Sequence, residues 1–301
     1  MRIAAFAGVA SLAACVPPAA PPPDAAPWLA PPTAARVVRP APLPPPPAPA
    51  TAADFGLPEG ARQGDLRRGT APAGTTRLML DGEEVALAPD RRFVIAFDRD
   101  APAQATLSAT LADGSTRVLT LAVAPRAWAI QRLDTLARVP VPDADFVARR
   151  PAELARIAAA RATRTDAEGW RQAFVWPATG RISGVFGSQR IYRGEPGAYH
   201  SGVDVARPAG APVVAPADGV VVLAAQSPFT LEGRLLILDH GHGLSSAFLH
   251  LSRIDVAPGA LVRQGDPVGA VGATGRATGP HLHWGMTWQG RRIDPQAVLA
   301  D

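Results

Sequence analysis

Apolar and polar residues alternate along two pairs of runs, each pair joined by Asp-Gly. Thr76–Leu80 and Glu84–Ala88 flank Asp81-Gly82, and Ala105–Leu111 and Thr116–Val123 flank Asp113-Gly114. Successive side chains of a strand face opposite sides, so a period of two describes half-buried strands, and Asp-Gly suits the tight turn of a hairpin. The pattern predicts a small sandwich-like β domain over residues 54–139, with no residue set of catalytic spacing. Beyond Val139 the pattern changes. Pro140 and Pro142 interrupt the chain, and Pro151–Ala162 reads as a helix opened by proline, within a helical linker over 140–168. From Gly180 onward, glycines such as Gly219, Gly233, Gly243, Gly259 and Gly272 punctuate β-branched runs. That predicts a compact all-β domain of short strands over 169–301. The fold class expected is mainly β.

The N-terminal pattern is of another kind. Arg2 precedes a short apolar stretch, Ile3–Ala14, rich in small residues and too short to cross a bilayer as a mature helix. It ends in Leu12-Ala13-Ala14-Cys15, which resembles a bacterial lipobox. Residues 1–14 then read as a lipoprotein signal peptide, with Cys15 acylated to hold the chain to a membrane. A conventional secretory signal with an incidental cysteine is the alternative. Val16 rather than aspartate after the cysteine points to the outer membrane by the lipoprotein sorting rule. Cys15 is the single cysteine, so no disulfide framework exists. Residues 15–53 are dominated by proline and alanine and read as a semi-rigid polyproline tether, able to reach roughly 100 Å at ~3.1 Å per residue.

Composition narrows the partners. The 301 residues contain no lysine and no asparagine, so all 30 basic residues are arginine, and the net charge is +4. A mildly basic exported protein suits an anionic cell wall. No dense basic run with interleaved aromatics appears, which argues against nucleic acid.

The candidate chemistry lies in the last third, where every histidine falls: His200, His240, His242, His250, His281 and His283. Residues two apart on a strand share a face, so a strand over 281–287 would open His281 and His283 into one cleft. One imidazole of such a pair can bind metal while the other stays free as an acid or base. His200-Ser201-Gly202-Val203-Asp204 adds an imidazole and a carboxylate on a loop entering a strand. Three such ligands with an open position describe a catalytic rather than a structural zinc site. His240 and His242 form a second His-x-His pair, whose glycine neighbours place it at a turn in a structural or rim role.

These segments resemble the lysostaphin-type (LytM-type) zinc endopeptidases that cut peptidoglycan cross-bridges. The likeness runs from about Trp176 to Leu299 through Gly184-Val185-Phe186-Gly187, the His200–Asp204 motif, Ala215–Val220 and Gly279-Pro280-His281-Leu282-His283-Trp284. It implies Zn2+ bound by His200, Asp204 and His283, and catalytic roles for His281 and for His250 in Phe248-Leu249-His250-Leu251-Ser252. Phe248 replaces the tyrosine usual there, which puts a hydroxyl contact in doubt. The implied substrate is the peptide stems of peptidoglycan, in the periplasm of a Gram-negative cell. Arg190, Arg193 and Tyr199 are candidate peptide contacts. Relatives that have lost their ligands activate cell-wall amidases without catalysis, and that is the alternative function. A biotinyl or lipoyl carrier is excluded, because the group would sit on a lysine.

Overall fold

The computed structural model describes residues 48–135 and 143–299. The signal segment 1–14, Cys15 and tether residues up to 47 lie outside the described residues, as do Pro140 and Pro142. The protein is mainly β, with one α-helix among the described residues.

The N-terminal strands form a sheet in the order Ala48–Pro49, Thr116–Ala124, Gln104–Leu111, Thr75–Leu80, Glu83–Glu84, with Ala61–Arg62 also pairing with Thr116–Ala124. Both Asp-Gly pairs are turns. At the first, Asp81 and Gly82 both take positive φ (51° and 84°), the geometry of the turn that best matches strand twist. The second strand of this hairpin is shorter than its alternation suggests. Pairing ends at Glu84 rather than Ala88, because the chain turns away to reach Asp90 and Arg91, and the Ala88 N–H donates to Arg92 O instead. A separate two-stranded ladder pairs Leu66–Thr70 with Arg92–Ala96. Phe93, Val94, Ile95 and Ala96 are all buried, so the second strand of this ladder is covered on both faces. It also meets the C-terminal domain, with Arg68 donating to Trp170 O (2.6 Å) and Gln172 O (2.8 Å). Arg126–Asp294 (2.9 Å) and Arg171–Asp90 (2.7 Å) are further arginine links between the two parts.

The helix spans Ala144–Ala162, opening seven residues before Pro151. The cause lies at Asp143, whose carboxylate caps the helix by accepting from Phe146 N (2.8 Å), a stronger start signal than proline alone. Pro151 therefore sits inside the helix and leaves the carbonyl of exposed Val147 without its helical donor. Side-chain anchors offset this cost. Glu153 accepts from Thr230 N (2.8 Å) and Thr230 Oγ1 (2.5 Å), and Arg150 grips Glu232 with two bonds (2.6 and 2.8 Å). Ile157 and Ala160 pack with Leu235, Ile237 and Ala247 on one face of the C-terminal sheet.

That sheet is antiparallel, in the order Arg181–Gly184, Gly202–Ala206, His281–Trp288, Leu244–Leu251, Gly233–Asp239, Gly219–Phe229, Leu261–Val262. Arg291–Ile293 extends it beside His281–Trp288. The opposite face is core, built on Phe248, Leu282, Trp284 and Met286. Phe248 is fully buried there, so the hydroxyl it lacks would lie in the core rather than in the cleft. Ile130–Leu133, beyond the last strand of the N-terminal sheet, pairs in parallel with Gln189–Tyr192, and these strands line the same groove as the helix residues Arg150, Leu154 and Ile157.

Candidate metal centre

Strand register brings the first two groups together. Asp204 lies directly opposite His283 in the ladder between Gly202–Ala206 and His281–Trp288, and paired residues share a face. His200 comes from the loop before its strand. Its N–H donates to Ser188 O and its carbonyl accepts from Gly187 N, each at 2.8 Å, which docks this loop onto the Gly184–Gly187 segment. His200 Nε2, Asp204 Oδ1 and His283 Nδ1 then form a triangle with sides of 3.0, 3.0 and 2.9 Å. Among the described residues this is the one group of three or more metal-ligating side chains whose donor atoms converge.

Two glycines make room for it. A methyl at Gly184 would overlap Asp204 Oδ2 and come within 3.1 Å of His200 Cε1. At Gly202 it would strike the Trp284 carbonyl and lie 2.7 Å from His283 Nε2. Both motif glycines are thus space for ligands rather than turn residues.

The donor set fits a divalent ion. His200 Nδ1–H donates to Val185 O (3.0 Å), so its Nε2 lone pair faces the triangle; a backbone carbonyl fixing the second ring nitrogen is the usual support of a ligating histidine. Zinc binds imidazole nitrogen and carboxylate oxygen at about 2.0–2.2 Å, and all corners of a triangle this size are reachable from one point at that distance. Burial disfavours the charged Asp204 carboxylate, but the His200 and His283 ring nitrogens against it outweigh that and hold its pKa well below the usual range, and the same carboxylate raises the His200 imidazole against its burial. Burial also lowers His283, keeping it neutral, with Asp204 opposing in part. A permanently ionised carboxylate beside a neutral imidazole is the protonation state a metal requires.

Two more histidines border the triangle without joining it. His281 Nδ1–H donates to Gly279 O (2.8 Å), and its Nε2 lies 3.8 Å from Asp204 Oδ1. His250 Nδ1–H donates to Thr274 O (2.8 Å), with its ring 4.8 Å from His281 and 6.4 Å from His283. Simple alternation would send His250 to the opposite face from Leu249, which pairs with His283. A bulge between the Arg234–Leu251 and Leu236–Phe248 pairs, with His250 at φ 64°, turns it back. Left-handed backbone at a non-glycine residue is strained and persists where the surroundings enforce it. Here the His250 N–H donates to Glu232 O (2.8 Å). Burial, with the Thr274 carbonyl opposing, pushes the His250 imidazole down to about 4.

His240 and His242 stand apart from this cluster. His240 is enclosed between Asp218 O and Ser246 Oγ, each at 2.8 Å. His242 stacks on Trp170 with ring centroids 4.0 Å apart. Of the three peptide-contact candidates, Arg190 and Tyr199 line the cleft, while Arg193 turns to Thr135 O (3.3 Å). The cleft is a groove of about 1270 Å³.

The sequence profile of Peptidase family M23 matches residues 198–295, which hold His200, Asp204, His250, His281 and His283. The chain carries a peptidase family M23 domain. Relatives of that domain include the peptidoglycan DD-endopeptidase ShyA of Vibrio cholerae, 39% identical over 115 residues, covering 38% of this chain and 26% of the relative. The DD-carboxypeptidase/endopeptidase Mpg of Neisseria meningitidis is 38% identical over 122 residues, covering 39% of this chain and 27% of that protein. The chain thus spans about a quarter of the length of these curated relatives. A solved structure of a putative M23 peptidase from Pseudomonas aeruginosa has TM-score 0.62 and 29% identity, over 81% of this chain and 96% of the other. That likeness extends well beyond the M23 domain into the preceding β domain.

Proposed function

We propose that this protein is a zinc-dependent endopeptidase that hydrolyses the peptide cross-bridges of peptidoglycan. The observation that carries the reading is the converging His200–Asp204–His283 triangle at the floor of a peptide-sized groove, flanked by two imidazoles that do not belong to it. Zinc held there would supply Lewis-acid polarisation of the scissile carbonyl and a nucleophile available at neutral pH. His281 and His250 both have Nδ1 tied to a backbone carbonyl, which leaves each Nε2 to take or give a proton or to stabilise a developing oxyanion. The helix and the Gln189–Tyr192 wall hold an extended peptide over these atoms. The names of the relatives support peptidoglycan as the polymer. The amidase-activator alternative describes proteins that have lost zinc ligands, and the convergence of His200, Asp204 and His283 speaks against it.

The Leu12-Ala13-Ala14-Cys15 sequence supports a lipid anchor at Cys15, facing the periplasm from the outer membrane. In that position the Pro/Ala-rich segment would let the M23 domain reach the wall.

Four variants test the catalytic reading. His283→Ala and Asp204→Ala each remove a ligand, so zinc content after dialysis and muropeptide cleavage should collapse together. His281→Ala and His250→Ala should keep about one equivalent of zinc while turnover falls ~10²-fold or more. Equal zinc loss in all four would refute the division of roles, and full cleavage by all four would refute the site.

A further inference from the structure

The groove carries more positive charge than the metal centre uses. Arg161, Arg276 and Arg292 line it, and none of the three forms an ion pair among the described residues. The acids nearby are already committed. Asp204 belongs to the triangle, Glu232 is held by both guanidinium nitrogens of Arg150, and Asp98 accepts from Tyr199 Oη (3.1 Å) and Arg292 N (2.9 Å).

Two of these arginines stand at one level of the sheet. Asp239, Ser245, Thr287 and Arg292 are successive partners across four strands and so form one row. Paired residues share a face. His283 lies on the same face of its strand as Thr287, four residues away, and Arg292 therefore projects on the metal side. Its guanidinium leans on the Tyr199 ring, 5.6 Å from the centroid. At the far end of the row, Asp239 accepts from Thr165 N and Oγ1 (3.0 and 2.6 Å) just after the helix. Arg161 lies one helical turn before that contact. It also lies one turn beyond Ile157, which packs on this face. Arg161 and Arg292 thus face each other from opposite sides of the groove. Burial lowers the Arg161 pKa, and the charge of Arg292 lowers it further, with Glu232 opposing. Both side chains are exposed to the open groove, and two like charges across it are an arrangement that an anion between them relieves.

We propose that Arg161 and Arg292 form a carboxylate clamp, one side of the groove contributing each, that holds a free carboxylate of the peptide substrate. The identity of that substrate rests on the peptidoglycan reading above. The clamp row lies four residues along the strand from His283, roughly 14 Å at ~3.4 Å per residue. An extended peptide covers that span in about two to four residues once the reach of the arginine side chains is allowed for. The bound carboxylate is therefore near, but not at, the scissile bond. Guanidinium suits the task because its planar fork matches a carboxylate with two parallel hydrogen bonds. The clamp sets which peptides are cleaved, and both arginines are positioning residues.

The test uses the full chain and purified cross-linked dimeric muropeptides, with carboxylates either free or converted to amides. Binding is measured by calorimetry on chelator-treated protein, and cleavage separately on zinc-loaded protein by chromatography. Arg161→Gln and Arg292→Gln should each weaken binding of the free-carboxylate peptide ~10-fold or more. Amidation should weaken wild-type binding by a similar factor and the variants' binding no further. Arg161→Lys should restore binding only in part, and thermal melting should stay within a few degrees of wild type. Unchanged binding, or equal loss for free and amidated peptide, overturns the clamp. Cleavage indifferent to amidation would likewise sink the clamp and leave the hydrolase reading standing. Arginine-dependent binding without zinc-dependent cleavage would do the reverse.

Discussion

Lowering the pH should cost this protein stability through one histidine outside the metal centre. His240 is fully enclosed. Its Nδ1–H donates to Asp218 O, and its Nε2 accepts from Ser246 Oγ, which in turn accepts from Trp284 Nε1 (3.3 Å). The Phe174 ring packs edge-on at 4.9 Å. Every polar atom of the neutral ring is used, so a second proton would turn the serine hydroxyl round and take away the acceptor of its hydrogen. Burial pushes this imidazole down from 6.5 to about 4, with the Asp218 carbonyl opposing in part. The unfolded chain therefore binds the proton more readily than the folded one. The resulting stability is complete above pH 6.5 and is lost as pH falls through about 4. At ~1.36 kcal/mol per pKa unit the full loss is about 3 kcal/mol, of which about 2 kcal/mol falls between roughly pH 7.5 and pH 5. The perturbation is His240→Gln, which keeps a donor and an acceptor but does not titrate. Urea unfolding followed by circular dichroism, in chelator, reads both proteins across this range. The variant should be about 1–3 kcal/mol less stable at neutral pH for its poorer hydrogen bonds. Its stability should then fall about 2 kcal/mol less than wild type on acidification. The metal ligands and Asp239, whose carboxyl burial raises, titrate in both proteins and cancel in the comparison. Parallel pH curves would refute the reasoning.

Gly184→Ala should weaken zinc binding at least ~10-fold with the fold intact, because its methyl overlaps Asp204 rather than the core; competition with a chromophoric chelator measures it, and wild-type affinity would show that the loop yields freely. Glu153→Ala leaves the Thr230 N–H and hydroxyl without their acceptor and should cost about 1–3 kcal/mol, with earlier proteolytic cutting near the helix; a wild-type cleavage pattern would contradict the anchoring role. Cys15→Ser should release the protein from membranes without loss of muropeptide cleavage by the soluble form, and persistence in the outer-membrane fraction at high salt would dismiss the lipid anchor.

The parts of this protein legible in its sequence are those governed by local periodicity. Alternation around Asp81-Gly82 and Asp113-Gly114 marks the hairpins, because φ preferences and a period of two act within a few residues. His281 and His283 share a face for the same reason. Tertiary structure decided the rest. Nothing local brings His200 to a partner 83 residues away at 3.0 Å; only the antiparallel register of Gly202–Ala206 against His281–Trp288 does so. His250 points to the groove through a bulge and a positive φ that alternation alone would deny it. Gly184 and Gly202 are only members of motifs in the sequence, yet each is empty space beside a ligand from another strand. The helix starts at Ala144 because a capping aspartate and contacts to Thr230 and Glu232 outweigh an internal proline. Arg161 and Arg292 look like any other two of thirty arginines until a sheet row and a helix end set them across one groove. Short-range preferences are written residue by residue, whereas a site built from four strands and two loops exists only once long-range packing has chosen their register.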